Sequence, residues 1–245
     1  MAGLLVNLVN RLRARLTLRE DASGTLQERV QRADAALKDF RFLEAEQIYR
    51  SVLRDHPLHA RAQTNLAISL SGSGRTAEAV ALLEQAVAEH PDFFDAWFNL
   101  AVIQHSLGRL DAAIAAYTEA RRIMPASPEV RRNLASLRLF HGELTDPNWR
   151  DFAWRRLCEG FESTPFRCAA PLWKGEPLGA GSIVIHGEQG LGDEIMYASC
   201  YPRIESEAQR TLIACNDRLL ALFRRSFARA EVIGLSEAQI GRAHV

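Results

Sequence analysis

One segment of the chain combines glycines with a carboxylate in a spacing that suits ligand chemistry. The letters HGEQGLGDE run from residue 186 to residue 194, between a short apolar run and a helical pattern. Glycines let a ligand approach the main chain, and the amino end of a helix favours anions and ionised carboxylates. Asp193 is therefore a candidate general base, and a helix cap is an equally good interpretation. The candidate substrate contacts are His186, Gln189, Gly190 and Gly192.

Common phosphate-binding patterns do not match this segment. The glycines read GxxGxG instead of the GxGxxG of dinucleotide-binding loops, and no Gly-Lys-Ser/Thr follows them. Glu194 has the position of an ordinary first-turn carboxylate. His186 suits either a ligand-facing donor or a hydrogen-bonded histidine at the end of a strand.

The elements around this segment predict the opening of an α/β domain. Residues 183–185 form a short apolar run that suits a buried parallel strand, and a helix begins near Asp193. The run TLIAC predicts a second strand, residues 217–225 a second helix, and EVIG a third strand. Because strands and helices alternate, the pattern is typical of a doubly wound sheet, whose ligands bind beyond the carboxyl ends of the strands.

A second set of polar residues recurs at a fixed interval. Asn65, Asn99 and Asn133 are 34 residues apart, and Phe98 precedes the middle one. An asparagine side chain offers both a donor and an acceptor, so a file of amides can pair with the main chain of an extended peptide. The alternative is that each amide bonds to a neighbouring helix.

The rest of the chain before residue 143 repeats in step with these asparagines. Pro57, Pro91 and Pro125 have the same spacing, which predicts stacked helix-turn-helix units. We place three units at residues 26–127 and a capping helix at 128–143. Glycine permits a left-handed turn after the first helix of a unit, and the first unit has Phe40 in that place. The aligned sets are Gly74, Gly108 and Gly142; Ala33, Ala67, Ala101 and Ala135; and Tyr49, Leu83 and Tyr117.

The third unit resembles the tetratricopeptide repeat closely, and the second has Gln63 where the third has its tryptophan. The resemblance implies a superhelical array whose first helices face a concave, protein-binding groove. The asparagines are similar to the ladder that holds acceptor polypeptides in repeat-bearing O-linked N-acetylglucosamine transferases. The residues that carry the pattern are Trp97, Leu100, Ala101, Gly108, Ala113, Tyr117, Ala120 and Pro125.

The later segment IVIHGEQGLGDEIMYASCYPRI resembles bacterial proteins that join such repeats to a heptosyltransferase-type glycosyltransferase domain. That domain has two Rossmann-like halves. The resemblance implies that Asp193 is the base that activates the acceptor hydroxyl, with Gly190 and Gly192 in the surrounding loop. It also implies that a nucleotide-sugar donor binds only in a longer protein, in a second half that this sequence does not contain.

The expected fold class is therefore a helical repeat array followed by the incomplete start of a Rossmann-like domain. Residues 144–181 are interpreted as an aromatic helix and linker, and 182–239 as the first strands of the transferase domain. Residues 240–245, IGRAHV, match the translation of a sequencing adapter, which suggests a truncated chain. The expected function is a fragment of a repeat-linked glycosyltransferase, inactive alone. The alternative is a non-catalytic interaction scaffold.

The charge and the residue composition of the chain argue against several classes of ligand. The net charge is zero, so nucleic acid is not an expected partner. The 4 cysteines form no CxxC pair, and with the dispersed histidines they give no metal-binding spacing. We predict no metal site, no cofactor, no transmembrane segment and a cytoplasmic location. Residues 1–25 predict an amphipathic helix that either packs on the first repeat or anchors at a membrane surface.

Overall fold

A computed structural model describes residues 24–161, 170–187 and 190–238. Most of the predicted N-terminal helix, the candidate Gln189 and the adapter-like residues 240–245 lie outside these ranges. The chain divides into two compact units, Met1–Cys158 and Glu159–Val245, and each is described by itself.

The first unit is a series of antiparallel helix pairs, as the period predicts. Each pair turns through a residue with a positive φ angle: 59° at Phe40, 81° at Gly74 and 71° at Gly108. The helices are α1 (Leu26–Lys38), α2 (Phe42–Asp55), α3 (Ala60–Gly72), α4 (Thr76–Glu89), α5 (Phe94–Ser106), α6 (Leu110–Ile123) and α7 (Pro128–Phe140).

The first helices of the pairs form one face of the array, here called the inner face. Helix α1 lies against α3, and α3 lies against α5. The second helices α2, α4 and α6 make no comparable contacts with one another. The first helices of the first three pairs therefore approach each other more closely than the second helices do.

The core alternates small and large residues at the aligned positions. Ala33, Ala67 and Ala101 have no exposed surface, so adjacent helices can approach closely there. Tyr49 and Leu83 are equally buried and fill the space between helices. The aligned sets of the sequence are therefore sets of packing positions.

In each later repeat, the first helix forms a hydrogen bond to the carbonyl of the proline that precedes it. A side-chain nitrogen at the position of the repeat tryptophan donates to the carbonyl of that proline, which satisfies a group that the turn leaves unpaired. The residue type differs from repeat to repeat, but the donor is a side-chain nitrogen in each case. The three bonds join Gln63 Nε2 to Pro57 O (3.0 Å), Trp97 Nε1 to Pro91 O (2.9 Å) and Arg131 Nε to Pro125 O (2.6 Å).

A short helix closes the array. Helix α8 (Asp146–Phe152) is followed by a 3-10 turn, Ala153–Leu157. Asp151 is 13% exposed and accepts from Arg121 and Arg131, each at 2.8 Å, and the Arg131 guanidinium lies 4.2 Å from the centre of the Trp154 ring. These contacts attach the aromatic helix to the last repeat.

The second unit contains a small parallel sheet with the strand order β1-β2-β3. One predicted helix is divided in two at Ser199 and Cys200, and the second helix begins at Tyr201 with Pro202 in its first turn. The buried residues Tyr201, Ile213, Phe223 and Phe227 pack together as its core. The elements are β1 (Ser182–His186), α9 (Leu191–Ala198), α10 (Tyr201–Glu207), β2 (Arg210–Cys215), a 3-10 turn (Asp217–Leu219), α11 (Leu220–Ser226), β3 (Glu231–Gly234) and α12 (Leu235–Ala238).

Among the helices of the described ranges, none is long and apolar enough to cross a membrane. The same part of the chain brings together no group of three or more histidine, cysteine, aspartate or glutamate residues that could hold a metal ion.

Candidate functional site

The side-chain nitrogen of Asn65, the first asparagine of the predicted ladder, donates two hydrogen bonds. Asn65 Nδ2 donates to Asp34 Oδ1 at 2.8 Å and to the Tyr49 hydroxyl at 3.1 Å. The Tyr49 hydroxyl also donates to Asp34, whose other oxygen accepts from Arg61 at 2.5 Å. These four residues form a polar cluster that joins α1, α2 and α3.

The other two asparagines make different bonds. Asn133 Nδ2 donates to the Tyr117 hydroxyl at 3.1 Å, and its Oδ1 accepts from Arg132 Nε at 3.1 Å. Asn99 Nδ2 donates to Asp95 O of its own helix at 2.7 Å, and its Oδ1 accepts no hydrogen bond from the described residues. The structure thus places all three asparagines on the first helices, half-buried, in unequal surroundings.

Large apolar side chains lie on the same helix as Asn99. The rings of Phe94 and Phe98 stack with their centres 5.7 Å apart, and Phe98 meets the edge of Tyr117 at 5.9 Å. Val102, one turn further along α5, is 38% exposed. This part of the inner face can therefore bury an apolar side chain of a ligand next to the Asn99 amide.

Burial determines the protonation state of the two tyrosine hydroxyls that bond to Asn65 and Asn133. It raises the pKa of the Tyr49 hydroxyl, and the bond to Asp34 raises that pKa further. Burial also raises the pKa of Tyr117, while its bond with Asn133 lowers it by less. Both hydroxyls therefore stay protonated around neutral pH and keep their hydrogen-bonding roles.

The glycine-rich segment lies at the carboxyl end of β1, as predicted. Gly190 is the N-cap of α9, and Asp193 lies in the first turn of that helix. The Asp193 carboxylate is half-exposed and makes no hydrogen bond within the described residues. A Cβ at Gly190 or Gly192 would meet nothing within 4 Å, so both positions border open space. His186 Nδ1 lies 3.2 Å from the carbonyl oxygen of Gly187.

Glu194 is the carboxylate whose role the sequence did not reveal. It is 4% exposed, and its Oε2 accepts from the main-chain nitrogen of Asn216 at 3.0 Å, at the end of β2. A Cβ at Gly187 would overlap with the Glu194 side chain, so glycine is required there. The Glu194 charge also adds to the effect of burial, which raises the pKa of Cys215 to about 11 and that of Tyr201 to about 12. Glu194 therefore joins the first turn of α9 to the residue that follows β2 and packs against Gly187.

Comparison with protein families identifies the helical unit. Residues 17–88 and residues 64–128 each match a family described as tetratricopeptide repeat. The chain therefore carries tetratricopeptide repeats, which confirms the repeat type predicted from the sequence. Both matches end before residue 182, so they give no support to a transferase assignment for the sheet.

A curated relative shares part of the chain. Protein FlbA of Caulobacter vibrioides is 30% identical over an alignment of 121 residues, and the match covers 46% of this chain and 20% of that protein. The match thus spans a fifth of the length of this relative.

Several solved repeat structures are similar in fold. The crystal structure of MamA covers 54% of this chain and 77% of its own, with 18% identity and a TM-score of 0.48. The Sgt2 repeat domain of Aspergillus fumigatus covers 50% and 83%, with 21% identity and a TM-score of 0.46. The first repeat domain of Spaghetti, solved with an HSP90 peptide, covers 48% and 93%, with 18% identity and a TM-score of 0.45.

Proposed function

We propose that the repeat array is an interaction module that binds a segment of a partner protein on its inner face, and that the chain acts as a non-catalytic scaffold. The observation that carries this proposal is the surface of α5. There Phe98 and Val102 expose apolar area beside the Asn99 amide. Exposed apolar groups with a few placed polar groups are typical of peptide-binding grooves.

A photo-crosslinking experiment tests this proposal. A benzophenone amino acid replaces Val102 on the inner face or, as the matched control, the exposed Glu84 on the second helix α4. We expect irradiation in cells that carry the gene to join the Val102 variant to one partner, within one segment of that partner. The proposal fails if both positions give the same products or if the Val102 variant gives none.

A sugar-transfer role for residues 182–238 is a second proposal. It is supported by the resemblance of the GLGDEI segment and by the half-exposed Asp193 carboxylate at the end of β1. A carboxylate at that place suits proton removal from an acceptor hydroxyl. Because the resemblance implies that the donor binds in a second half, the test is the rate of nucleotide-sugar hydrolysis by a protein that includes this half and by its Asp193→Asn form. Equal rates would reject the role of Asp193.

A further inference from the structure

We propose that the segment before α1, residues 4–19, packs as a helix against the exposed side of the first helix pair and covers Phe40 and Leu43. This segment lies outside the described residues. The proposed contact joins two parts of the same chain. It is independent of the proposed binding on the inner face, because it uses a different surface of the array.

The turn between α1 and α2 carries an aromatic side chain where the other pairs have glycine. Phe40 has a φ angle of 59°, and among the described residues no other non-glycine residue has a positive φ angle. Its ring is 78% exposed and meets the edge of the Phe42 ring, with 6.0 Å between the centres. A bulky residue in the left-handed region has a steric cost. The described residues bury little of this ring in return, so Phe40 suits a contact with a further segment.

Two shallow depressions lie on the exposed side of α2. The first has a volume of about 570 Å³ and lies at the beginning of the helix, beside Phe40 and Leu43, and Leu43 is 68% exposed. The second has a volume of about 490 Å³ and lies near the end of the helix, beside Leu53. Because a helix rises 1.5 Å per residue, Leu43 and Leu53 are about 15 Å apart along α2. Apolar contact is therefore offered at both ends of this side of the helix.

The sequence of the preceding segment matches this spacing. Leu5, Leu8, Leu12 and Leu16 recur at intervals of three and four residues, which places them on one side of a helical pattern. Leu5 and Leu16 are 11 residues apart, or about 16 Å in a helix. The two ends of this apolar side can therefore reach the two depressions of α2 at the same time.

The start of α1 directs the chain toward this surface. Gly24 has a φ angle of 96° and comes directly before Thr25, whose capping box begins α1. A positive φ angle also occurs where the chain reverses within each helix pair, so the segment can run antiparallel to α1. From residue 26 to residue 40, and from residue 19 back to residue 5, a helix covers about 21 Å. Leu5 therefore reaches the level of Phe40.

The other end of the segment then lies near the end of α2. Arg29 of α1 and Asp55 of α2 form an ion pair at 2.8 Å, so the start of α1 and the end of α2 are neighbours. Leu16, eight residues before Gly24, is thus placed close to Leu53. Length and direction of the chain both agree with packing within the molecule.

Charge on the exposed side of α2 does not oppose this packing. The segment contains four arginines and no acidic residue before Glu20. Arg41 and Arg50 are paired with Glu44 at 2.6 Å and with Glu46 at 2.5 Å. The positive charges of α2 at these positions are therefore compensated before the segment approaches.

Limited digestion of the full chain with trypsin tests the contact, because trypsin cleaves after arginine and the segment has arginines at positions 11, 13, 15 and 19. Mass spectrometry measures the initial rate at which N-terminal peptides are released from the parent chain, Phe40→Gly, Leu43→Gln and Leu8→Gln. The matched control is Phe140→Ala, which removes another exposed phenylalanine ring, 80% exposed at the end of α7. Urea unfolding checks that each variant is folded.

We expect slow cleavage of the parent chain and a roughly tenfold faster release of N-terminal peptides from Phe40→Gly, Leu43→Gln and Leu8→Gln. Proteolysis follows the equilibrium between the packed and the free segment, and burial of one large apolar side chain shifts that equilibrium by about this factor or more. Phe40→Gly should fold, because glycine has the aligned position in the next two pairs. It should have little further effect in a Leu8→Gln background. Phe140→Ala should leave the rate unchanged.

Three results would overturn the proposal. Equal rates for the parent chain, Phe40→Gly and Leu43→Gln would show that the segment does not pack on this surface. Protection of the parent chain that appears only with vesicles of anionic phospholipid would assign the segment to a membrane surface. Protection that increases with protein concentration would assign the contact to a second copy of the chain. The crosslinking at Val102 tests the inner face separately, so neither proposal depends on the result of the other.

Discussion

Replacing Tyr49 by phenylalanine should destabilise the array more than replacing Tyr117. The change Tyr49→Phe deletes a hydroxyl that donates to the Asp34 carboxylate and accepts from Asn65. A hydrogen bond to a charged group contributes about 1.5–3 kcal/mol, and a neutral one contributes about 1 kcal/mol. Asp34 keeps its bonds to Asn65 and Arg61, which limits the loss. We therefore expect about 2 kcal/mol for Tyr49→Phe.

The same change in the third repeat is the matched comparison. The Tyr117 hydroxyl accepts one bond from Asn133 and contacts no carboxylate in the described residues. The expected cost of Tyr117→Phe is therefore about 1 kcal/mol.

Urea unfolding followed by far-ultraviolet circular dichroism measures both losses. With a slope of about 2 kcal/mol per molar urea, the midpoints should fall by about 1 M for Tyr49→Phe and about 0.5 M for Tyr117→Phe. Equal losses, or a larger loss for Tyr117→Phe, would refute the claim that the Asp34 carboxylate strengthens the first cluster.

Three further changes test other contacts. Gln63→Leu should lower the free energy of unfolding by about 1–2 kcal/mol, measured by urea unfolding, since it leaves a proline carbonyl of the preceding turn without its donor. Gly187→Ala should destabilise the second unit, and a double-mutant cycle should show that the same change costs much less in a Glu194→Ala background, where the overlapping carboxylate is gone. The second unit should also lose stability as the pH rises from about 9 to about 11, because burial raises the pKa of Cys215 from 9.0 to about 11 and the folded state favours the neutral thiol. The urea midpoint against pH should therefore be flatter in Cys215→Ala.

The helices and their order could be predicted from the sequence because the repeat fixes them at every aligned position. Proline, glycine and alanine recur where a helix must end, turn or approach its neighbour closely, and these demands depend on the main chain alone. Gln63 shows the limit of this argument. It looked like the loss of a tryptophan, yet its amide donates to Pro57 as the indole of Trp97 donates to Pro91.

The candidate site could be predicted only as a set of positions. The period places Asn65, Asn99 and Asn133 on the inner face, and it does not state which amides are already bonded. That information was present in the aligned residues Tyr49, Leu83 and Tyr117, but the alignment alone does not relate their hydroxyl groups to the asparagines.

The role of Glu194 could not be predicted, because it depends on a contact between distant segments. The main-chain nitrogen that Glu194 binds belongs to Asn216, 22 residues later. A local pattern shows only that an acidic residue near a helix start is favourable. The role of a first-turn carboxylate is thus visible in the sequence, and the role of a buried carboxylate that accepts a hydrogen bond from a distant main-chain nitrogen is not.

The asparagine positions differ in their internal bonds. Asn65 and Asn133 each bond to a tyrosine hydroxyl 16 residues earlier, and Asn99 has Leu83 at that interval. Leu83 is fully buried, so Leu83→Tyr adds a larger ring where packing is already complete. A new bond to Asn99 would contribute about 1 kcal/mol, and overpacking costs about 1–3 kcal/mol, so we expect a net loss of stability in urea unfolding. A Leu83→Tyr variant that is more stable than the parent would show that the space beside Asn99 accepts the ring.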